Sequence, residues 1–197
     1  MADRLCLGFD SSAAHCAAAL ILNDTVLAAR HIDMARGQAE QLMPLLHEVL
    51  AEAGKSWRDL DVLGVGTGPG NFTGIRIAVS AARGLALALK IPAIGITATE
   101  ALAMGLPRPC RVIFPARAGE VIWQDFDAAG PVGQPASCAA DLLPDGPAPS
   151  QPVQPIAVSI ARLALQRSQQ PQPRPAPHYL RPADAAPARD RGPVILP

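Results

Sequence analysis

Between Gly66 and Arg76 the chain reads Gly-Thr-Gly-Pro-Gly-Asn-Phe-Thr-Gly-Ile-Arg, with four glycines in eleven positions. The segment lies between a strand-like run and a helix-like one. Glycines let a ligand approach the backbone, and a helix N-terminus offers unpaired amides and the positive end of its dipole. Phosphate binding by Gly68, Gly70, Thr73, Gly74 and Arg76 is therefore one reading. The segment lacks the Gly-Lys-Ser/Thr of a nucleotide P-loop, so a tight turn whose glycines serve packing is equally open. The second candidate is Asp10-Ser11-Ser12, after the first strand-like run. Its carboxylate could hold a hydrated metal, or it could simply close a turn.

Other catalytic constellations do not form in the sequence. His15, His31, His47 and His178 include no pair at helix-turn spacing, and Cys6, Cys16, Cys110 and Cys138 include no C-x-x-C. There is no G-x-S-x-G elbow. Buried thiols of a reducing cytosol and satisfied surface histidines account for these residues, and no metal is expected.

The 197 residues carry 17 basic and 17 acidic side chains, so no surplus of positive charge argues for a stand-alone nucleic-acid binder. With 49% hydrophobic residues the chain can bury a core. Arg76, Ser80, Arg83 and Lys90 interrupt the most apolar stretch, Ile75 to Ile96, which excludes a clean membrane span. The start, Met-Ala-Asp-Arg, does not read as a signal peptide. The expected location is the cytoplasm.

These candidates need elements to hold them. Strands are expected at Arg4–Phe9, His15–Leu22 and Thr25–Ile32, the last two joined by the hairpin dipeptide Asn23-Asp24. A helix follows over Glu40–Ala53. Its Leu42, Leu45, Leu46, Val49, Leu50 and Ala53 form one face, Pro44 falls in its first turn or kinks it, and Gly54 stops it. Asp61–Gly66 reads as a buried strand. The next helix, Thr73–Lys90, has a line of small residues (Gly74, Ala78, Ala82, Ala86), with Ile75, Ile77, Val79, Leu85, Leu87 and Leu89 around most of the rest. Such a helix must be covered on more than one side.

A strand at Ile91–Ile96 and a capping box at Thr97-x-x-Glu100, opening a helix through Met104, complete the order βββαβαβα. That order resembles the ribonuclease-H-like fold of sugar kinases, actin and Hsp70, an α/β mixed sheet with flanking helices. In that superfamily Asp-x-Gly-Thr/Ser approaches the nucleotide at the position of Asp10, but serine replaces the glycine here. Residues 1–130 hold six prolines and residues 131–197 fifteen. Domains are accordingly expected at 1–106 and 107–197. The second is reduced: strands at Arg111–Pro115 and Glu120–Phe126, then Pro/Ala sequence, a helix at Pro155–Gln166 and a proline-spaced tail.

The stretch from Gly66 to Ala103 resembles the signature of the TsaB (YeaZ) family, the non-catalytic paralogues of TsaD in bacterial tRNA threonylcarbamoyladenosine synthesis. Residues 9–20, 37–50, 116–123 and 176–181 resemble further family segments in family order. Gln38 stands where the family often has histidine. The resemblance implies a cytoplasmic subunit that binds a TsaD-like catalytic subunit, acts with a TsaE-like ATPase and meets tRNA only through the complex. It implies no cofactor of its own, with ATP or ADP bound only within the complex. Pairing would use the first two helices, with a homodimer through the same helices when the partner is absent. The residues assigned to that interface are Leu42, Met43, Leu46, Val49, Leu50, Ala78, Ala82, Leu85, Ala86 and Leu89. Ala82→Arg is then expected to break pairing without unfolding the chain. The alternatives are burial of the second helix under the chain's own second half, a phosphotransferase or ATPase using Asp10 and Gly68–Gly74, and a glycopeptidase-type metalloenzyme.

Overall fold

The computed structural model describes residues 3–180. Three strands, β1 (Leu5–Asp10), β2 (His15–Leu22) and β3 (Thr25–Asp33), form an antiparallel meander. Asn23 takes a positive φ of 52° in the hairpin turn, and Leu22 pairs with Thr25 across it. Strands β4 (Val62–Gly66) and β5 (Ala93–Ile96) add in parallel beside β1, giving the order β3-β2-β1-β4-β5. β1 and β4 are buried along their whole lengths, as strands covered on both faces must be.

Helices α1 (Gln38–Glu52) and α2 (Phe72–Leu89) pack on one face of this sheet. Gly54 at φ +63° follows the end of α1. Helix α1 starts earlier than its apolar stripe suggested, so Pro44 falls inside it, past the first turn. The proline sits on the exposed side, where the carbonyl freed by its missing amide can turn to water. Helix α3 (Ala98–Ala103) opens with the expected box: Thr97 Oγ1 accepts from the Glu100 amide, and the Thr97 amide donates to Glu100.

Past residue 107 chain order and packing diverge. Strands β6 (Cys110–Pro115), β7 (Glu120–Asp127) and β8 (Gly130–Ala139) form a second, antiparallel sheet. The Pro/Ala sequence expected after Phe126 is in fact strand β8. It tolerates Pro131 and Pro135 because it is an edge strand with a register shift opposite Trp123 to Asp125. Arg111, 2% exposed, donates through Nε and Nη2 to the two Asp125 oxygens at 2.5 and 2.7 Å and through Nη1 to the Pro144 carbonyl. Asp125 raises its pKa against the opposing effect of burial.

Helix α4 (Ile156–Arg167) returns to the first sheet and covers the face opposite α1 and α2. Its approach is set by two glycines. A Cβ on Gly8 would lie 2.5 Å from the Ala157 carbonyl oxygen, and one on Gly64 would lie 2.8 Å from the Ala164 methyl.

Candidate functional site

Asp10 ends β1 and is fully buried. Its Oδ2 accepts from the Ser12 amide at 3.1 Å, the Ser12 hydroxyl at 2.9 Å and His15 Nε2 at 2.8 Å. Accepting from the amide two residues on is what a turn-closing aspartate does. Oδ1 has no hydrogen-bond partner, and it faces Gly66, where any Cβ would collide with it. Among the described residues no group of three or more His, Cys, Asp or Glu side chains could hold a metal ion.

The glycine turn closes on the same loop. The Asn71 amide donates to the Ser12 carbonyl at 2.5 Å, and the Ser11 hydroxyl donates to the Gly74 carbonyl at 2.8 Å. A Cβ on Gly70 would strike the Ser12 carbonyl, and one on Gly74 the Ser11 carbonyl. These glycines therefore admit the β1–β2 loop against the start of α2. Asn71 Oδ1 caps the helix, accepting from the Thr73 amide at 3.0 Å and the Gly74 amide at 3.5 Å. Those are amides a phosphate would need. Gly68, at φ +90°, is backed by Ile75 and the His178 carbonyl. Arg76 donates to Tyr179 Oη at 2.9 Å and lies over the Phe72 ring. Asp10, Ser11, Ser12, Gly70, Thr73 and Gly74 thus meet in one place, but as a cross-braced junction of strand, loop and helix. Arg76 points elsewhere.

Burial pushes the Cys16 thiol up to about 11, with Asp10 adding to the effect. Gln38 donates to the Met34 carbonyl at 3.3 Å, tying the start of α1 to the preceding loop. Residue types and spacing do not reveal that His15 meets Asp10, or that its ring lies 4.7 Å from that of His31. The first follows from the β1–β2 turn and the second from β2–β3 pairing, which sets His31 against Ala17.

The interface assignment needs correction. Leu42, Leu46, Val49, Leu50, Ala78 and Ala82 are buried in the core beneath the two helices. Leu85, Ala86 and Leu89 are half-buried against the same cluster, and only Met43 is exposed. The small-residue line faces inward, Gly74 against the Ser11 carbonyl and Ala78 and Ala82 in the core, so Ala82→Arg would bury a charge. The outward face is different. On α2, Thr73, Arg76, Ser80, Arg83, Gly84 and Leu87 are exposed and fall within an arc of about 100° at 100° per residue. Leu87 is 82% exposed and Met43 of α1 is 41% exposed. By length and composition α2 could cross a membrane, with mean hydropathy 1.4, but Ile75, Ala78, Val79 and Ala82 belong to the core.

The family described as TsaD, tRNA N6-adenosine threonylcarbamoyltransferase, matches residues 32–172. The tRNA threonylcarbamoyladenosine biosynthesis protein TsaB of Escherichia coli is 35% identical over 126 residues, covering 61% of this chain and 54% of that protein. TsaB of Bacillus subtilis is 35% identical over 121 residues, covering 58% and 52%. The chain spans about half the length of these curated relatives. The solved structure of YeaZ from Pseudomonas aeruginosa superposes with a TM-score of 0.71 at 25% identity, covering 90% of this chain and 100% of that one.

Proposed function

The chain belongs to the TsaB (YeaZ) branch of the TsaD family, and we propose that it is a non-catalytic, cytoplasmic subunit of the tRNA threonylcarbamoyladenosine machinery. In this reading it binds a TsaD-like catalytic subunit through the outward side of α1 and α2 and works with a TsaE-like ATPase. It meets tRNA only through the assembly.

The observation that carries the partner role is the contrast between exposure and composition on that face. Met43 and Leu87 project outward beside the small exposed residues Ala39, Ser80, Gly84 and Ala88. Small side chains let a second helix pair approach, and the two large apolar ones supply area to bury. The same face would serve a homodimer in the partner's absence. A partner role without catalysis agrees with a glycine turn whose cap amides are already occupied by Asn71.

The second reading, a transferase or ATPase working at Asp10, draws on the transferase activity for which the matching family is named and on the unpartnered Asp10 Oδ1. It predicts nucleotide binding by the isolated chain that Asp10→Ala abolishes. Any ATP or ADP in our reading is bound by the complex.

The test is co-expression of the tagged chain with the TsaD-like protein of the same organism, followed by sizing of the eluate. A stable one-to-one complex supports the reading. No complex, even with nucleotide and the TsaE-like ATPase added, refutes it.

A further inference from the structure

Residues 171–177 read Pro-Gln-Pro-Arg-Pro-Ala-Pro. Proline at alternate positions fixes φ and removes half the amide donors. Such a segment loses little entropy on docking, but it must be held chiefly by donors reaching its carbonyls. In the structure one such donor comes from α2, and the other ties are made by an amide of the segment and by its tyrosine. Arg83 Nε donates to the Pro175 carbonyl at 2.8 Å, and the His178 amide donates to the Thr67 carbonyl at 2.8 Å. Arg76 Nε donates to Tyr179 Oη at 2.9 Å, while the Tyr179 ring stacks on Phe72 with centroids 4.7 Å apart. Arg76 and Arg83 are seven residues apart, two turns along one side of α2. Pro175 is buried and packs near Gly95 of β5.

The segment thus crosses the chain just outside the carboxyl ends of β4 and β5, where open α/β sheets leave a crevice. It borders a cleft of about 340 Å³ lined by Thr67, Gly95, Arg174 and His178 among others. We infer that residues 172–179 form a releasable strap, latched to α2 by Arg76 and Arg83, that closes the crevice beyond β4 and β5. Three of its five ties are single side-chain contacts from α2, two of them from exposed arginines; the others are the His178 amide on the Thr67 carbonyl and Gln172 Nε2 on the Arg167 carbonyl. Opening the strap therefore requires no break in either sheet. The strap also fixes the Thr67–Gly68 turn, because the His178 carbonyl backs Gly68 where its φ is positive.

Native-state hydrogen exchange on the full chain, as a function of denaturant, tests this. The His178 amide is the reporter for the strap, with Leu7 and Ile94 amides for the sheet. The expected result is local opening: His178 exchanges faster than the sheet amides and almost independently of denaturant. Arg83→Ala should accelerate His178 exchange about tenfold, the loss of one charge-assisted hydrogen bond. The sheet amides should be unchanged, and Arg83→Lys should recover part of the protection. Tyr179→Phe, which keeps the ring stack but removes Oη, should accelerate it less. Exchange of His178 in step with Leu7 and Ile94, or no change in Arg83→Ala, would overturn the inference.

Discussion

The two faces of the five-stranded sheet are covered in different ways. On one, α4 lies so close that Gly8 and Gly64 have no room for a Cβ, and Ala157, Ile160, Ala161 and Ala164 are buried between helix and strands. On the other, α1 and α2 stand on a thicker layer of leucine, isoleucine and valine and turn Met43 and Leu87 outward. The first face is finished by the chain itself. The second is finished beneath its helices but leaves Met43 and Leu87 exposed among charged neighbours such as Glu48 and Arg83.

The sharpest way to break this contrast is at the α4 face. Gly8→Val should cost about 3 kcal/mol or more in chemical denaturation, because the new side chain meets α4 backbone rather than a movable side-chain end. A near-unchanged midpoint would mean that α4 is not seated as described. Next is Ala82→Arg. With Ala82 fully buried, the guanidinium has no partner in the core, and a loss of about 3 kcal/mol is expected. A stable Ala82→Arg protein would return that residue to the surface.

A smaller effect tests how α4 is tied to α3. Glu100 accepts from Arg167 at 2.6 Å and from the Thr97 hydroxyl at 2.7 Å. Burial raises its pKa, but the bonds from Arg167 and Thr97 outweigh that and hold it below the ordinary 4.5. Because the folded value is the lower one, the contribution is complete above the ordinary value and is lost as pH falls through the depressed one. Glu100→Gln should cost about 1 kcal/mol at pH 7, and the gap to the parent should close in acid. A gap unchanged down to the acid transition would contradict the pairing. The smallest expected effect is Leu87→Arg, which should change stability by no more than about 0.5 kcal/mol.

Most of the first sheet could be read from the sequence because its signals are local: alternation in the meander, Asn23-Asp24 in the hairpin, the Thr97/Glu100 box. Strand β8 could not, since Pro131 and Pro135 argue against a strand until its edge position is known. The glycine turn was recognisable as special, but its purpose was not. Whether Gly70 and Gly74 admit a ligand or a loop depends on where Ser11 and Ser12 fold back. The helix stripes misled for a related reason. Periodicity shows that α2 has small and large sides, but not which side meets the sheet. The strap was invisible because its ties join residues about a hundred positions apart.

Calorimetric titration of the TsaD-like protein into the parent chain and into Met43→Lys/Leu87→Lys asks whether the outer side of α1 and α2 is a partner surface. Thermal unfolding of the two chains would be compared alongside. One-to-one binding by the parent, no measurable binding by the double variant, and matching unfolding midpoints are expected. Equal binding by both chains would place the partner elsewhere on the molecule and rule out this face as its docking surface.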